Sequence, residues 1–240
     1  MTDIMVRGMA MTRPDESAAA REFDKWADAG RAESMADGHR GITEAATEHW
    51  RLDAQSVVLD VGCGNGWAAR RAVELGAGRG LGVDISPRMI DRAQAACQGD
   101  DRFAFAVSPA EQLPFADASV SHLLNVESLY YYPDPARALA EWARVTQTGG
   151  QLVVVCDLYQ ENEATHSWID ALDVDVHLLS AQQCVDMATA GGWQNVRAWQ
   201  VKDARPIKTE DEFTPSKYWP SYAMYRSYRE TGALVVAGTR

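Results

Sequence analysis

The segment of this sequence best suited to chemistry on a ligand is Asp60-Val61-Gly62-Cys63-Gly64-Asn65-Gly66. Its alternate glycines let a backbone turn tightly and approach a bound molecule closely. A dinucleotide fingerprint needs glycines at relative positions 1, 3 and 6. Here they stand at 62, 64 and 66, and the next residue is Trp67, too large to sit beneath a pyrophosphate. Nicotinamide binding is therefore disfavoured. A carboxylate, Asp84, follows about 20 residues on, at the end of a second apolar run. The four cysteines (Cys63, Cys97, Cys156, Cys184) and five histidines (His39, His49, His122, His166, His177) show none of the paired spacings used by metal sites or small disulfide frameworks. No metal site is expected, and the thiols read as isolated.

A strand must deliver that loop. Val57 to Val61 is a β-branched and aliphatic run, broken only by Asp60 and ending in Gly62, the pattern of a strand covered on both faces. Trp67–Leu75 then reads as helix and Gly80–Asp84 as strand. Ser86 and Pro87 supply the cap and first turn of a helix over Arg88–Cys97. Strands are expected at Phe103–Val107 and Val120–Val126, and a helix over Ala136–Val145 that stops at the Gly149-Gly150 pair. An apolar strand at Leu152–Asp157, a helix capped by Ser180 and running to Ala190, and strands at Val196–Val201 and Ala233–Ala237 complete the pattern. Strands alternating with helices predict an α/β fold: a doubly wound, seven-stranded, mostly parallel sheet with helices on both faces.

Residues 1–50 read as an N-terminal leader and helical cap, and residues 51–240 as the main domain. Within it, 159–179 and 202–231 exceed what connections require. Insertions there can roof the crevice beyond the carboxyl ends of the strands, where an open α/β sheet binds its ligand. Tyr218, Tyr222, Tyr225 and Tyr228 recur at helical spacing within the second insertion and read as core packing, with a face turned to substrate as the alternative. His122, inside a strand, reads as structural; His39 and Trp26 read as surface or core packing, with closure of the ligand crevice from the N-terminal side as the alternative.

The stretch VLDVGCGNGWAAR resembles the glycine motif of the class I methyltransferases that use S-adenosylmethionine. The resemblance is strongest over residues 50–157 and implies the Rossmann-like fold of that family. It also implies that Gly62, Cys63, Gly64 and Gly66 admit the cofactor, and that Asp84, with Ile85 beside it, accepts hydrogen bonds from the ribose hydroxyls. Asp60 either supports the loop or touches the methionine amine. In Ser108-Pro109-Ala110-Glu111, Ala110 and Glu111 match the residues bordering adenine, while Pro109 stands where relatives commonly have Asp. Asn125 to Glu127 would floor the reaction site. The sequence lacks the Asn or Asp, two prolines and aromatic of relatives that methylate planar amino groups on DNA bases or glutamine.

The implied reaction moves a methyl group to a small organic acceptor and releases S-adenosylhomocysteine. It asks mainly for in-line positioning, which can supply about 7 to 11 kcal/mol. An acceptor that must lose a proton needs a base as well, and Glu127, Tyr130, Tyr131 and His166 are candidates by position.

Composition narrows the partners. Twenty-three basic residues against 34 acidic ones leave a net charge of -11, which repels phosphate backbones and anionic headgroups. Nucleic acid is not an expected partner. No run approaches the roughly 18 apolar residues of a membrane span, and the first residues lack the apolar block of a secretory signal. A cytoplasmic location is expected. A different class of function, a cofactor-binding sensor or partner subunit without turnover, shares the same loop; it predicts tight binding and no transfer. Neither the acceptor nor the oligomeric state has a recognisable motif.

Overall fold

The computed structural model describes residues 16–240; the leader expected before them lies outside the described residues. The chain opens with helices α1 (Glu16–Asp28) and α2 (Arg31–Ala46), then runs β1 (Val57–Val61), α3 (Trp67–Glu74), β2 (Arg79–Asp84), α4 (Pro87–Ala96), β3 (Phe103–Val107) and β4 (Val120–Val126). The second half comprises α5 (Pro135–Val145), β5 (Thr146–Cys156), α6 (Ser167–Ala171), α7 (Ala181–Ala190), β6 (Gln194–Val201), α8 (Tyr222–Thr231) and β7 (Ala233–Thr239).

The seven strands form one sheet in the order β3-β2-β1-β4-β5-β7-β6. β7 runs antiparallel to both of its neighbours, and the β1, β2, β3, β4 and β5 pairings are parallel. Alternate residues feed opposite faces: Leu59, Val61, Leu123 and Val154 enter one buried cluster, and Val58, Leu124, Val153 and Val155 the other. Burial on both sides explains why the central strands read as continuous apolar runs rather than alternating ones. Strand order reverses between β1 and β4, which opens a crevice at their carboxyl ends.

Two expectations need correction. The helix α5 ends at Val145, and Gly149-Gly150 lie within β5 instead of stopping the helix. The pair serves a bulge: register with β4 shifts between Val120↔Thr146 and His122↔Gln151. A Cβ on Gly150 would fall 2.8 Å from Ser121 O. Tyr218, read with the helical tyrosines, precedes α8, which starts at Tyr222 with Ser221 as its cap.

The N-terminal helices are fastened over the sheet. Ser86 caps α4 by accepting from Met89 N–H at 3.1 Å, and its hydroxyl donates to Asp24 of α1 at 2.6 Å. Arg88–Asp28 and Arg92–Glu33 pairs continue the seam. Ser86→Ala removes cap and tie together, and is expected to lower the free energy of unfolding by about 1 to 2 kcal/mol, read from urea denaturation.

Candidate active site

The backbone leaves β1 beneath the end of β4. Gly62 has φ +75°, and a Cβ there would collide with Ser128 Oγ and lie 2.9 Å from Tyr132 OH. Gly66 (φ +72°) is equally constrained, since a Cβ would stand 2.7 Å from the Phe105 ring and 3.0 Å from Ala93. Gly64 is the open member, with Met89 Sδ at 4.0 Å from the position its Cβ would take. Asp84 clasps the loop: Oδ2 accepts from Gly64 N–H and Oδ1 from Ser86 N–H, both at 2.9 Å.

Two cavities adjoin at this point. The first is lined by Gly62, Cys63, Gly64, Asp84, Ile85, Ala110 and Glu111, with the flank completed by Met89, Ser108 and Pro109. Asp60, Gly66 and Asn125 are not in its wall. Asp60 is buried with Oδ1 lacking a partner among the described residues. Asn125 Nδ2 lies 2.7 Å from Val61 O, 2.6 Å from Ser128 Oγ and 2.8 Å from Tyr132 OH. Asp60, read from sequence as either supporting the loop or touching the methionine amine, and Gly66 and Asn125, read as cofactor-side residues, thus stand outside the wall of this cavity.

The second cavity lies on the far side of Glu127, among Tyr130, Asp157, Trp168, Tyr218, Trp219, Tyr225 and Tyr228. Its walls come from both long insertions, so the late tyrosines face open space as well as packing. Trp26, Met35, His39, Glu127 and Tyr131 belong to both walls. His39 and Trp26, read from sequence as packing or as closing the crevice from the N-terminal side, therefore stand at the junction, whereas His166 lies in neither wall and sets Nε2 3.1 Å from Gln160 O.

Glu127 is held in the left-handed region at φ +56°, a conformation that costs a non-glycine residue on the order of 1 to 3 kcal/mol. Three bonds fix it: its N–H donates to Val155 O at 2.8 Å, Oε1 accepts from Asp157 N–H at 2.6 Å, and Oε2 accepts from Tyr130 O–H at 2.9 Å.

Comparison with known proteins decides the family. A methyltransferase-domain family model matches residues 59–154. A chain from the complex of the Haloferax volcanii Trm112 methyltransferase activator with a methyltransferase superposes with a TM-score of 0.83 at 32% identity, covering 91% of this chain and 97% of that one. The chain belongs to the class I S-adenosylmethionine-dependent methyltransferases. Among curated relatives, methyltransferase GfsG of Streptomyces halstedii is 33% identical over 138 residues, covering 55% of this chain and 49% of its own length. The 27-O-demethylrifamycin SV methyltransferase of Amycolatopsis mediterranei is 35% identical over 106 residues, covering 43% and 39% respectively. The chain thus spans half or less of these two relatives.

In this methyltransferase the site's ionisable groups are displaced mainly by burial. Burial pushes Asp84 up to about 6, against the pull of the Ser86 and Gly64 N–H groups, and pushes Asp60, with Asp84 nearby, up to about 8. Glu127 is driven well above the carboxylate range by burial and by the Asp157 carboxyl. Tyr130 and Tyr131 hold their protons more firmly than usual for the same reason, which weakens both as bases. Burial lowers His39, with Asp157 opposing.

Among the described residues no helix is long and apolar enough to cross a membrane.

A carboxyl whose folded pKa stands above its unfolded value keeps its full contribution to stability below the unfolded value and loses it as pH rises. For Asp60 the window runs from 3.8 to about 8. Asp60→Asn is therefore expected to raise the thermal midpoint at the upper end of that window and leave it unchanged at the lower end, by calorimetry.

Proposed function

We propose that this chain transfers the methyl group of S-adenosylmethionine to a small organic acceptor. The carrying observation is the meeting of the two cavities across one shared wall: one is shaped by the glycine loop and Asp84, the other by aromatic side chains. The donor set fits the cofactor. Asp84 retains acceptor capacity beyond its two backbone bonds, the loop is open at Gly64, and Ile85, Met89 and Ala110 give an apolar flank suited to a base. Pro109 offers no side-chain acceptor, so the adenine amino group has no partner at that position.

When bound, S-adenosylmethionine supplies an electrophilic methyl on sulfur with a good leaving group already in place. The chain's task is then to orient and to exclude water. Gly62 and Gly64 let the backbone approach, Asp84 fixes the ribose, Ala110 and Glu111 border the adenine, and Glu127 with Tyr131 divides donor from acceptor. α1 and α2 act as a cap on the body that begins near residue 51. The net charge of -11 supports a small molecule rather than nucleic acid as acceptor, and a cytoplasmic setting agrees with the absence of a spanning helix among the described residues. The rifamycin enzyme acts on a small molecule by its name, which supports the same acceptor class.

Asp84→Ala is expected to weaken S-adenosylmethionine binding at least tenfold, about 1.4 kcal/mol, in a folded protein studied by titration calorimetry. Unchanged affinity would remove the ribose assignment. A second reading, that the enzyme works with an activator subunit, is supported by its 32% identity to the Haloferax chain. Co-elution of the chain with Haloferax volcanii Trm112 in size-exclusion chromatography is the outcome it predicts, and separate elution counts against it.

A further inference from the structure

We propose that His39 is the general base of the transfer and that Asp157 positions it, so that the acceptor is a molecule that gives up a proton, specifically a hydroxyl on a planar ring. This rests on the methyl-transfer reading above and adds to it the identity of the proton acceptor. A base for this reaction must reach the acceptor while standing beside the donor's methyl group. Glu127, His39 and Tyr131 are the titratable side chains that line both cavities. Glu127 has both oxygens engaged as acceptors, from Asp157 N–H and Tyr130 O–H. Tyr131 is buried and packs edge-on to Phe23 at 5.0 Å.

His39 sits differently. Its Nδ1 is 3.6 Å from Asp157 Oδ2 and makes no hydrogen bond within the described residues, so the ring keeps a nitrogen able to take a proton, with a carboxyl at ion-pair distance to face the cation that results. Asp157 is itself oriented: Oδ2 accepts from Tyr228 O–H at 2.8 Å. Arg205 Nη2 donates to Gly38 O at 2.9 Å, fixing α2 one residue before the histidine. Charged and titratable groups approach His39 from four elements: Glu127 at the end of β4, Asp157 after β5, Asp203 and Arg205 after β6, and Tyr228 on α8. The two aspartates favour the imidazolium, while burial and Arg205 oppose it. Burial prevails, keeping the resting ring neutral at pH 7 and ready to accept.

The step balances without a co-reactant. The hydroxyl proton passes to the His39 imidazole, an oxygen–methyl bond forms, and the methyl–sulfur bond breaks with its electron pair left on sulfur, giving S-adenosylhomocysteine and an imidazolium facing Asp157. The ring preference comes from the walls: Trp219 and Tyr228 lie 4.5 Å apart, and Trp168 and Trp219 4.8 Å, surfaces on which a flat acceptor stacks.

The test compares wild type, His39→Gln and Asp157→Asn as full chains. Three measurements are made: the pH titration of the His39 imidazole by NMR with S-adenosylhomocysteine present, S-adenosylmethionine calorimetry, and single-turnover labelled-methyl transfer. Hydroquinone and 4-hydroxybenzoate are the hydroxyl probes, and aniline and 4-aminobenzoate their amine counterparts. His39 is expected to titrate below 6.5 in wild type and lower still in Asp157→Asn. Calorimetry gives the cofactor affinity of each chain, so that transfer is compared at saturating S-adenosylmethionine. Transfer to the hydroxyl probes should fall at least about 100-fold in His39→Gln, and its acid limb should move to lower pH in Asp157→Asn. Four results overturn the proposal: a His39 titration indifferent to Asp157→Asn, an undiminished rate in His39→Gln, transfer to the amines but to neither hydroxyl probe or to no probe at all, or transfer abolished by EDTA and restored by a divalent cation. Failure of wild type to bind S-adenosylmethionine is a separate result, one that removes the methyl-transfer reading itself.

Discussion

Three side-chain groups converge on the carbonyl oxygen of Val61 at the end of β1: Asn125 Nδ2 at 2.7 Å, Ser128 Oγ at 3.2 Å and Tyr132 O–H at 3.3 Å. All three belong to β4 or to the turn after it. Their convergence lays Ser128 and Tyr132 against Gly62, so no side chain fits there, and the loop must bend away towards Asp84. The glycine loop and the segment at the end of β4 are thereby one hydrogen-bonded unit, although 64 residues separate Val61 from Asn125. In a buried setting, removing one partner leaves an orphaned polar group at a cost of about 1 to 3 kcal/mol. A change to this network therefore alters the shape of the site before it unfolds the domain.

The same region concentrates carboxyl groups that a stability-optimised core would omit. Asp60, Asp84, Glu127 and Asp157 are all buried at or just beyond the carboxyl ends of strands. Burial disfavours their charged forms, and the group as a whole weakens the folded state as pH rises. Such an arrangement is expected where a site must present acceptors to a ligand in a dry, fixed geometry. Glu127 adds backbone strain to this burden at φ +56°, and the bonds from Asp157 N–H and Tyr130 O–H hold it in that conformation.

The donor half of this architecture is legible in the sequence because local signals and tertiary demands agree there. The run Val57–Val61 has one plausible partner arrangement, and β1 has those same bounds. Ser86-Pro87 caps α4 as the residue types require. Agreement fails where one local signal serves two structures. A glycine pair stops a helix or makes a bulge with equal ease, and close approach to Ser121 on β4, not anything local, decides for the bulge at Gly149-Gly150. Tyrosines at helical spacing suggest one helix from Tyr218, yet Pro220-Ser221 interrupts the run and α8 begins only at Tyr222. The setting of His39 has no local signature: its surroundings are assembled by Asp157, Asp203 and Arg205, and the Arg205 bond to Gly38 spans 167 positions.

These two halves differ in what likeness to other proteins can carry. The methyltransferase-domain model covers residues 59–154, from β1 almost to the end of β5, and so covers the glycine loop, Asp84 and Glu127. It omits α1, α2, Asp157 and the segment from Trp168 to Tyr228, which supply most of the second cavity. Identity within the matched region therefore reports on how the donor is held and says little about what receives the methyl group. A sheet can keep the donor geometry fixed by its hydrogen-bonded register, while helices and long connections hung on its rim can be replaced without disturbing that register. On this division, the base proposed on α2 belongs to the replaceable half, and the chemistry of the acceptor has to be read from this chain's own rim residues.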